Sequence, residues 1–78
     1  MELKKVESSN ISQIGYNEFN QITLNKIVST LRIVFNSGNI YDYYDVPKEV
    51  YENFLNAKSI GKYFWANIKD KYDFEKVK

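Results

Sequence analysis

The sequence predicts an α+β domain: a small antiparallel meander of three strands, with a possible extra hairpin, followed by two α-helices packed on one face. Three observations carry this. Thr30-Leu31-Arg32-Ile33-Val34-Phe35 alternates as a half-buried strand does, with Leu31, Ile33 and Phe35 on one face and Arg32 and Val34 on the other. Asn36-Ser37-Gly38-Asn39 then reads as a hairpin turn into the tyrosine-rich run Ile40–Tyr44, with Gly38 supplying a positive φ. At Pro47 the hydrophobic period changes from two to the helical one.

The remaining elements follow in order. Met1–Lys5 is polar and is expected to fray. Ile14 and Tyr16 alternate, so a first strand is placed from about Asn10 to Tyr16, and Gly15 within it marks a bulge or a close backbone approach. Residues 17–29 fit either the extra short hairpin or an ordered loop. On the tyrosine strand, Tyr41 and Tyr43 share one face and Ile40, Asp42 and Tyr44 the other; alternation alone leaves open which is inside. Val50, Tyr51, Phe54 and Leu55 define an amphipathic helix from about Pro47 to Ala57. Ser59 caps a second helix from Ile60 to about Tyr72, with Phe64, Ile68 and Tyr72 as its buried stripe and Gly61 packed tightly in its first turn. Asp73–Lys78 reads as a charged tail.

With 78 residues the chain forms a single domain, 1–78, whose small core must be dense in large side chains; its 17% of aromatic residues can supply that density. Histidine and cysteine are absent, which removes the commonest general base, the commonest transition-metal ligands and any disulfide. An enzyme is therefore not expected, and neither a cofactor nor a metal. The net charge of +1 lacks the strong basic signature of a dedicated nucleic-acid binder. No run approaches a membrane span and Met1–Ser9 has no signal-peptide hydrophobic region, so a soluble cytoplasmic protein is expected. The bias toward Lys, Asn, Ile, Tyr and Phe, with one arginine, is that of an AT-rich genome such as those of low-GC bacteria and their phages.

Several pieces in order resemble the KTSC domain, a short module named for its place at the C-terminus of some lysyl-tRNA synthetases and also found alone in bacteria and phages. They are Ser8-Ser9-Asn10-Ile11, Ile14-Gly15-Tyr16, Leu31–Phe35 with Ser37-Gly38, Tyr41-Asp42-Tyr43, Asp45-Val46-Pro47, Val50-Tyr51 and Ala57–Phe64. Two departures stand out: roughly ten extra residues, Phe19–Ser29, and Trp65 where the family commonly has a small polar residue. The resemblance implies the fold and a helical second half; for activity it implies only the suggestion of RNA binding.

Four groups of residues bear on function, each with a plain structural alternative. Tyr41 and Tyr43 offer a stacking platform for unstacked bases, or simply core packing beneath the helices. Lys58, Lys62, Lys69 and Lys71 make the second helix locally basic, with Lys71 pointing away from the other three, or form a solvated face. Trp65, beside Tyr63 and Lys62, suits an interface anchor, or folds as a rim ring onto the first helix. Asp42, Asp45, Glu49 and Glu52 form an acidic strip that is best read as solvated rather than as acid/base or cation-binding machinery. The expectation is a small non-catalytic protein that binds another protein through Trp65, Tyr63 and Lys62, with Tyr41 and Tyr43 as a second surface and the 19–29 segment as a partner-specific loop. A phage or mobile-element modulator of a host or defence factor fits the composition. The alternative is an RNA- or tRNA-associated module using Lys58, Lys62, Lys69 and the tyrosines.

Overall fold

The computed structural model describes the backbone of residues 1–23 and 26–78, and the side chains of residues 1–18 and 29–78. Its elements run β1 (Leu3–Lys5), β2 (Ile11–Thr23), β3 (Lys26–Phe35), β4 (Ile40–Tyr44), α1 (Lys48–Leu55), α2 (Ile60–Asn67) and β5 (Phe74–Lys76). The five strands form one sheet in sequence order, each antiparallel to its neighbours. The predicted α+β class holds, with five strands in place of three.

The added strands come from the two ends of the chain. Met1–Lys5 does not fray, because Gly15 presents no side chain where β1 crosses it: a Cβ there would lie 2.6 Å from Leu3 Cδ2 and 2.9 Å from Met1 Sδ. Gly15 thus marks a close approach. The supposed charged tail holds β5, which takes up the outer edge of β4; the Tyr44 N–H donates to Asp73 O at 2.8 Å and the Val77 N–H to Ile40 O at 2.7 Å. An unpaired strand edge is left without hydrogen-bond partners in the protein, and β5 covers this one.

Residues 19–29 do not build a separate hairpin. They lengthen the β2–β3 ladder, which resumes at Gln21↔Val28 after a register shift beyond Asn17 and continues to Thr23↔Lys26. Residues 24–25 and the side chains of 19–28 lie outside the described residues, and so does the expectation of a partner-specific contact there.

A second irregularity, between Ile11 and Gln13, shapes the core. Ile11 and Ile14 are three apart, so strict alternation would put them on opposite faces; one extra residue at Ser12 brings both inward. They join Leu31, Ile33, Tyr43, Val46, Phe54, Ile60, Phe64 and Ile68 in one buried cluster between the sheet and the helices. Tyr16 stacks on Tyr51 of α1 at 4.7 Å, and its hydroxyl donates to Val46 O at 2.6 Å, fixing the strand-to-helix link.

The hairpin turn forms as expected, with Gly38 at φ 96°. Pro47 takes the capping position just before α1 rather than the first helical one. In α2 the Ser59 hydroxyl accepts from the Lys62 N–H, as predicted for a cap. Gly61 lies against Asn10, whose Oδ1 would be 3.1 Å from an added Cβ. The helix ends at Asn67 and not at Tyr72. The N–H groups of both Ile68 and Lys69 donate to Phe64 O, and Asp70 at φ 64° turns the chain toward β5. Ile68 remains buried beside Phe64, while Tyr72 is half-buried after the turn.

Candidate binding cleft

The sheet settles the faces of the tyrosine strand. Tyr41 pairs with Ile33 and Tyr43 with Leu31, so both rings point to the helix side. Tyr43 is 4% exposed and Tyr41 half-buried. Five rings then close a circuit: Phe35 meets Phe64 at 5.6 Å, Phe64 meets Tyr43 at 5.8 Å, Tyr43 meets Phe74 at 5.3 Å, Phe74 meets Tyr41 at 5.9 Å, and Tyr41 meets Phe35 at 5.7 Å. Three of these contacts are edge-to-face, the arrangement that places a positive ring edge on a negative ring face. The rings come from β3, β4, β5 and α2, so the circuit exists only once the chain's end has docked.

These rings wall a cleft of about 570 Å³, within the range of small-ligand sites. Its rim is polar: Ser9 and Asn10 before β2, Asn36, Ser37 and Asn39 in the β3–β4 turn, and Lys69 and Asp70 after α2. Phe74 forms one lip and is 49% exposed. Burial, reinforced by Tyr41 and Asp70, pushes the Tyr43 hydroxyl up to about 12, so it stays a neutral donor and acceptor at ordinary pH.

Of the residues singled out in the sequence, Tyr41, Tyr43 and Lys69 belong to this cleft. Tyr43 is no open platform for stacked bases, because the helices and Phe74 cover it. Trp65 is 62% exposed on α2 and does not fold onto α1; the Lys69 ammonium sits over its ring at 3.8 Å. Tyr63 is half-buried and stacks on Phe54 at 5.6 Å, which makes it a bridge between the helices. Lys58 and Lys62 are exposed at the start of α2 and do not line the cleft, and Lys69 and Lys71 fall beyond the helix end. The structure thus brings together one of the four lysines with the tyrosines.

The acidic strip is not continuous. Asp42 is buried on the opposite sheet face, where both its oxygens accept from Arg32 at 2.7 and 2.8 Å, while Glu49 and Glu52 are exposed on α1. Among the described residues no group of three or more carboxylate side chains is placed to hold a metal ion. Also among these residues, no helix is long and apolar enough to cross a membrane.

Sequence reasoning missed Phe74 and the asparagines of the rim. The available signal for Phe74 was a large ring standing alone in a charged segment.

A five-stranded antiparallel sheet with two short helices on one face and an aromatic cleft at its β4–β5 margin defines a small α+β domain. The chain belongs to the KTSC domain family, whose model matches residues 7–72. It is 32% identical to a KTSC domain protein of Yersinia pestis, whose crystal structure superposes with a TM-score of 0.84 over 99% of this chain and 97% of that one. It is 40% identical over 75 residues to a lysine–tRNA ligase of Nostoc punctiforme, covering 96% of this chain but spanning only 12% of the ligase. A protein of Tsukamurella paurometabola is 34% identical over 70 residues, which cover 90% of this chain and 92% of that protein.

Proposed function

We propose that this domain is a non-catalytic binding module of the cytoplasm whose partner is another protein, received in the cleft walled by Phe35, Tyr41, Tyr43, Phe64 and Phe74. The carrying observation is the cleft itself. A chain of 78 residues needs its large side chains for its core, yet here five rings border an open space and Phe74 is left half exposed at its lip. Exposed aromatic surface next to a well-packed pocket is the usual composition of an interface hot spot. Trp65, with Lys69 over its ring, supplies a second exposed ring beside the same rim. The composition of the chain suggests that the partner is a host or defence factor, met by a phage-borne or mobile-element protein.

The distribution of charge supports a protein over a nucleic acid. A nucleic-acid face would gather lysines around open tyrosines; Lys58 and Lys62 lie away from the cleft and Tyr43 is covered. The reading is tested by affinity capture from a cell extract with wild type, Phe74→Ala and Trp65→Ala chains. A protein retained by wild type and lost with Phe74→Ala is the expected result; retention by all three chains refutes the cleft.

A second reading, RNA binding, rests on the likeness of nearly the whole chain to part of lysine–tRNA ligases. Its test is binding to single-stranded RNA and tRNA across a salt series. Affinity that falls steeply with salt would establish phosphate contacts and displace the protein reading. The absence of binding at low salt removes the RNA reading.

A further inference from the structure

We infer that β5 is a flap on the aromatic cleft: it undocks from β4 as a unit while the rest of the sheet and both helices stay folded. Its departure takes Phe74 out of the cleft wall and frees the outer edge of β4 in one step. This opening is a property of the chain itself, beyond the protein-binding reading and independent of what enters the cleft.

What fastens β5 is slight and lies at the surface. Ile68 is the last fully buried residue of the chain, and every residue from Asp73 to Lys78 is exposed. The strand is three residues long. Its pairing with β4 is bounded by the Tyr44 N–H donating to Asp73 O and the Ile40 N–H donating to Lys78 O, both at 2.8 Å. Phe74 packs against Tyr41 and Tyr43 yet remains 49% exposed. The Tyr44 hydroxyl adds an exposed bond to Glu75 at 3.2 Å. Few buried apolar contacts and solvent-exposed hydrogen bonds are the marks of a segment that opens locally, at a lower free energy than global unfolding.

The sheet behind β5 does not depend on it. Every residue of β4 is paired with β3, Tyr41 meets Phe35, and Tyr43 meets Phe64. Between the buried Ile68 and β5 the chain turns at the exposed Asp70, with φ 64°, on the rim of the cleft. A short loop of this kind is where a hinge absorbs its change in dihedral angles. β1 is equally short, but the described lining of the cleft draws on none of its residues, so its release would leave the cleft unchanged. With β5 away, the Ile40 and Tyr44 N–H groups and the Ile40 carbonyl lose their partners beside the uncovered tyrosines. A walled pocket thereby becomes a ring surface continuous with a free strand edge.

The test is native-state amide hydrogen exchange of the full chain in low concentrations of urea, read residue by residue by NMR. β4 carries its own control, because alternation sends successive N–H groups to opposite neighbours. Ile40, Asp42 and Tyr44 face β5, whereas Tyr41 and Tyr43 face β3. The expected result is one shared protection factor for the β5-facing amides, about tenfold or more below that of the two tyrosines. Their protection should also be nearly independent of urea, because a local opening exposes little surface, while that of the tyrosines falls with the slope of global unfolding. Ile14→Val, in the core away from β5, should lower the protection of Tyr41 and Tyr43 by about two- to tenfold and leave the β5-facing amides unchanged. Phe74→Ala should lower the protection of the β5-facing amides by about tenfold, since half the ring is buried. Equal protection and equal urea slopes in the two sets would show that β5 opens only when the whole domain unfolds, and would overturn the flap. So would an Asp42 amide as protected as its tyrosine neighbours, which would reduce the opening to fraying of the strand ends. No response to Phe74→Ala overturns it as well, because the ring would then not fasten β5. No partner takes part in these measurements, so each of these failures leaves the protein-binding reading standing.

Discussion

The Arg32–Asp42 pair gives the sharpest quantitative expectation about this fold. It lies on the sheet face opposite the helices, in a row that crosses all five strands: Leu3, Gly15, Arg32, Asp42 and Glu75. The two partners are unequally buried, with side-chain exposures of 33% for Arg32 and 8% for Asp42. Their bidentate hydrogen bond is also the main reason that Arg32 holds its proton more tightly than usual. Unequal burial makes unequal costs. Arg32→Met strands a buried carboxylate without its cation, which costs about 3–5 kcal/mol. Asp42→Asn leaves a guanidinium that can reach water and keeps one hydrogen bond, so the loss is about 1–2 kcal/mol. A domain of this size holds on the order of 4–12 kcal/mol in total, so Arg32→Met removes a large share. Combining Arg32→Met with Asp42→Leu removes both charges and is expected to regain most of the loss. Urea unfolding of the three variants, followed by circular dichroism, measures these differences. The reasoning is refuted if Asp42→Asn costs as much as Arg32→Met, or if the double variant is no more stable than Arg32→Met alone.

Other expectations follow from the cleft and the chain's ends. Tyr43 ionises near 10 when unfolded and near 12 when folded, so its contribution is full below pH 10 and is lost as pH rises from 10 through 12. At most about 2–3 kcal/mol is at stake, and Tyr43→Phe, which cannot ionise there, should lose less stability than wild type in urea unfolding over that range. Removing the cation from the only tryptophan by Lys69→Ala should shift Trp65 fluorescence to the red while changing stability by less than about 1 kcal/mol; an unchanged spectrum would show that the contact does not persist in solution. In Gly15→Ala the new methyl meets Leu3, Met1 and the Glu2 carbonyl, so β1 should detach, with faster hydrogen exchange at residues 3–5 and a loss of about 1–2 kcal/mol.

What was legible in the sequence is the part determined by local pattern. The strand at Leu31–Phe35, the Gly38 turn and the Ser59 cap each follow from side-chain alternation or from a single backbone requirement, and each is found. The resemblance to KTSC domains likewise rested on ordered local pieces, and the family match spans them. Pairing between distant segments was not legible. Leu3-Lys4-Lys5 and Phe74-Glu75-Lys76 have the composition of solvated ends, and only Gly15 on one side and the open edge of β4 on the other turn them into strands. The Asp42 carboxylate looked solvated for the same reason, since its partner stands on the neighbouring strand, ten residues earlier in the chain.

The cleft is the functional consequence of that non-local pairing. Tyr41 and Tyr43 could be chosen from the sequence because they sit next to each other on one strand face, but a strand face alone is a surface and not a site. Two further steps make it a site. The helix stops at Asn67, and Asp70 in the left-handed region redirects the chain, so Phe74 comes back against the tyrosines instead of continuing away along a longer α2. Phe64, one turn after the Gly61–Asn10 contact that seats the helix, then closes the circuit from above. An unbroken helix to Tyr72 would carry Lys69 and Lys71 along a basic rod and leave the tyrosines without their outer wall. The break exchanges that arrangement for an aromatic pocket whose rim carries one cation and one anion, Lys69 and Asp70.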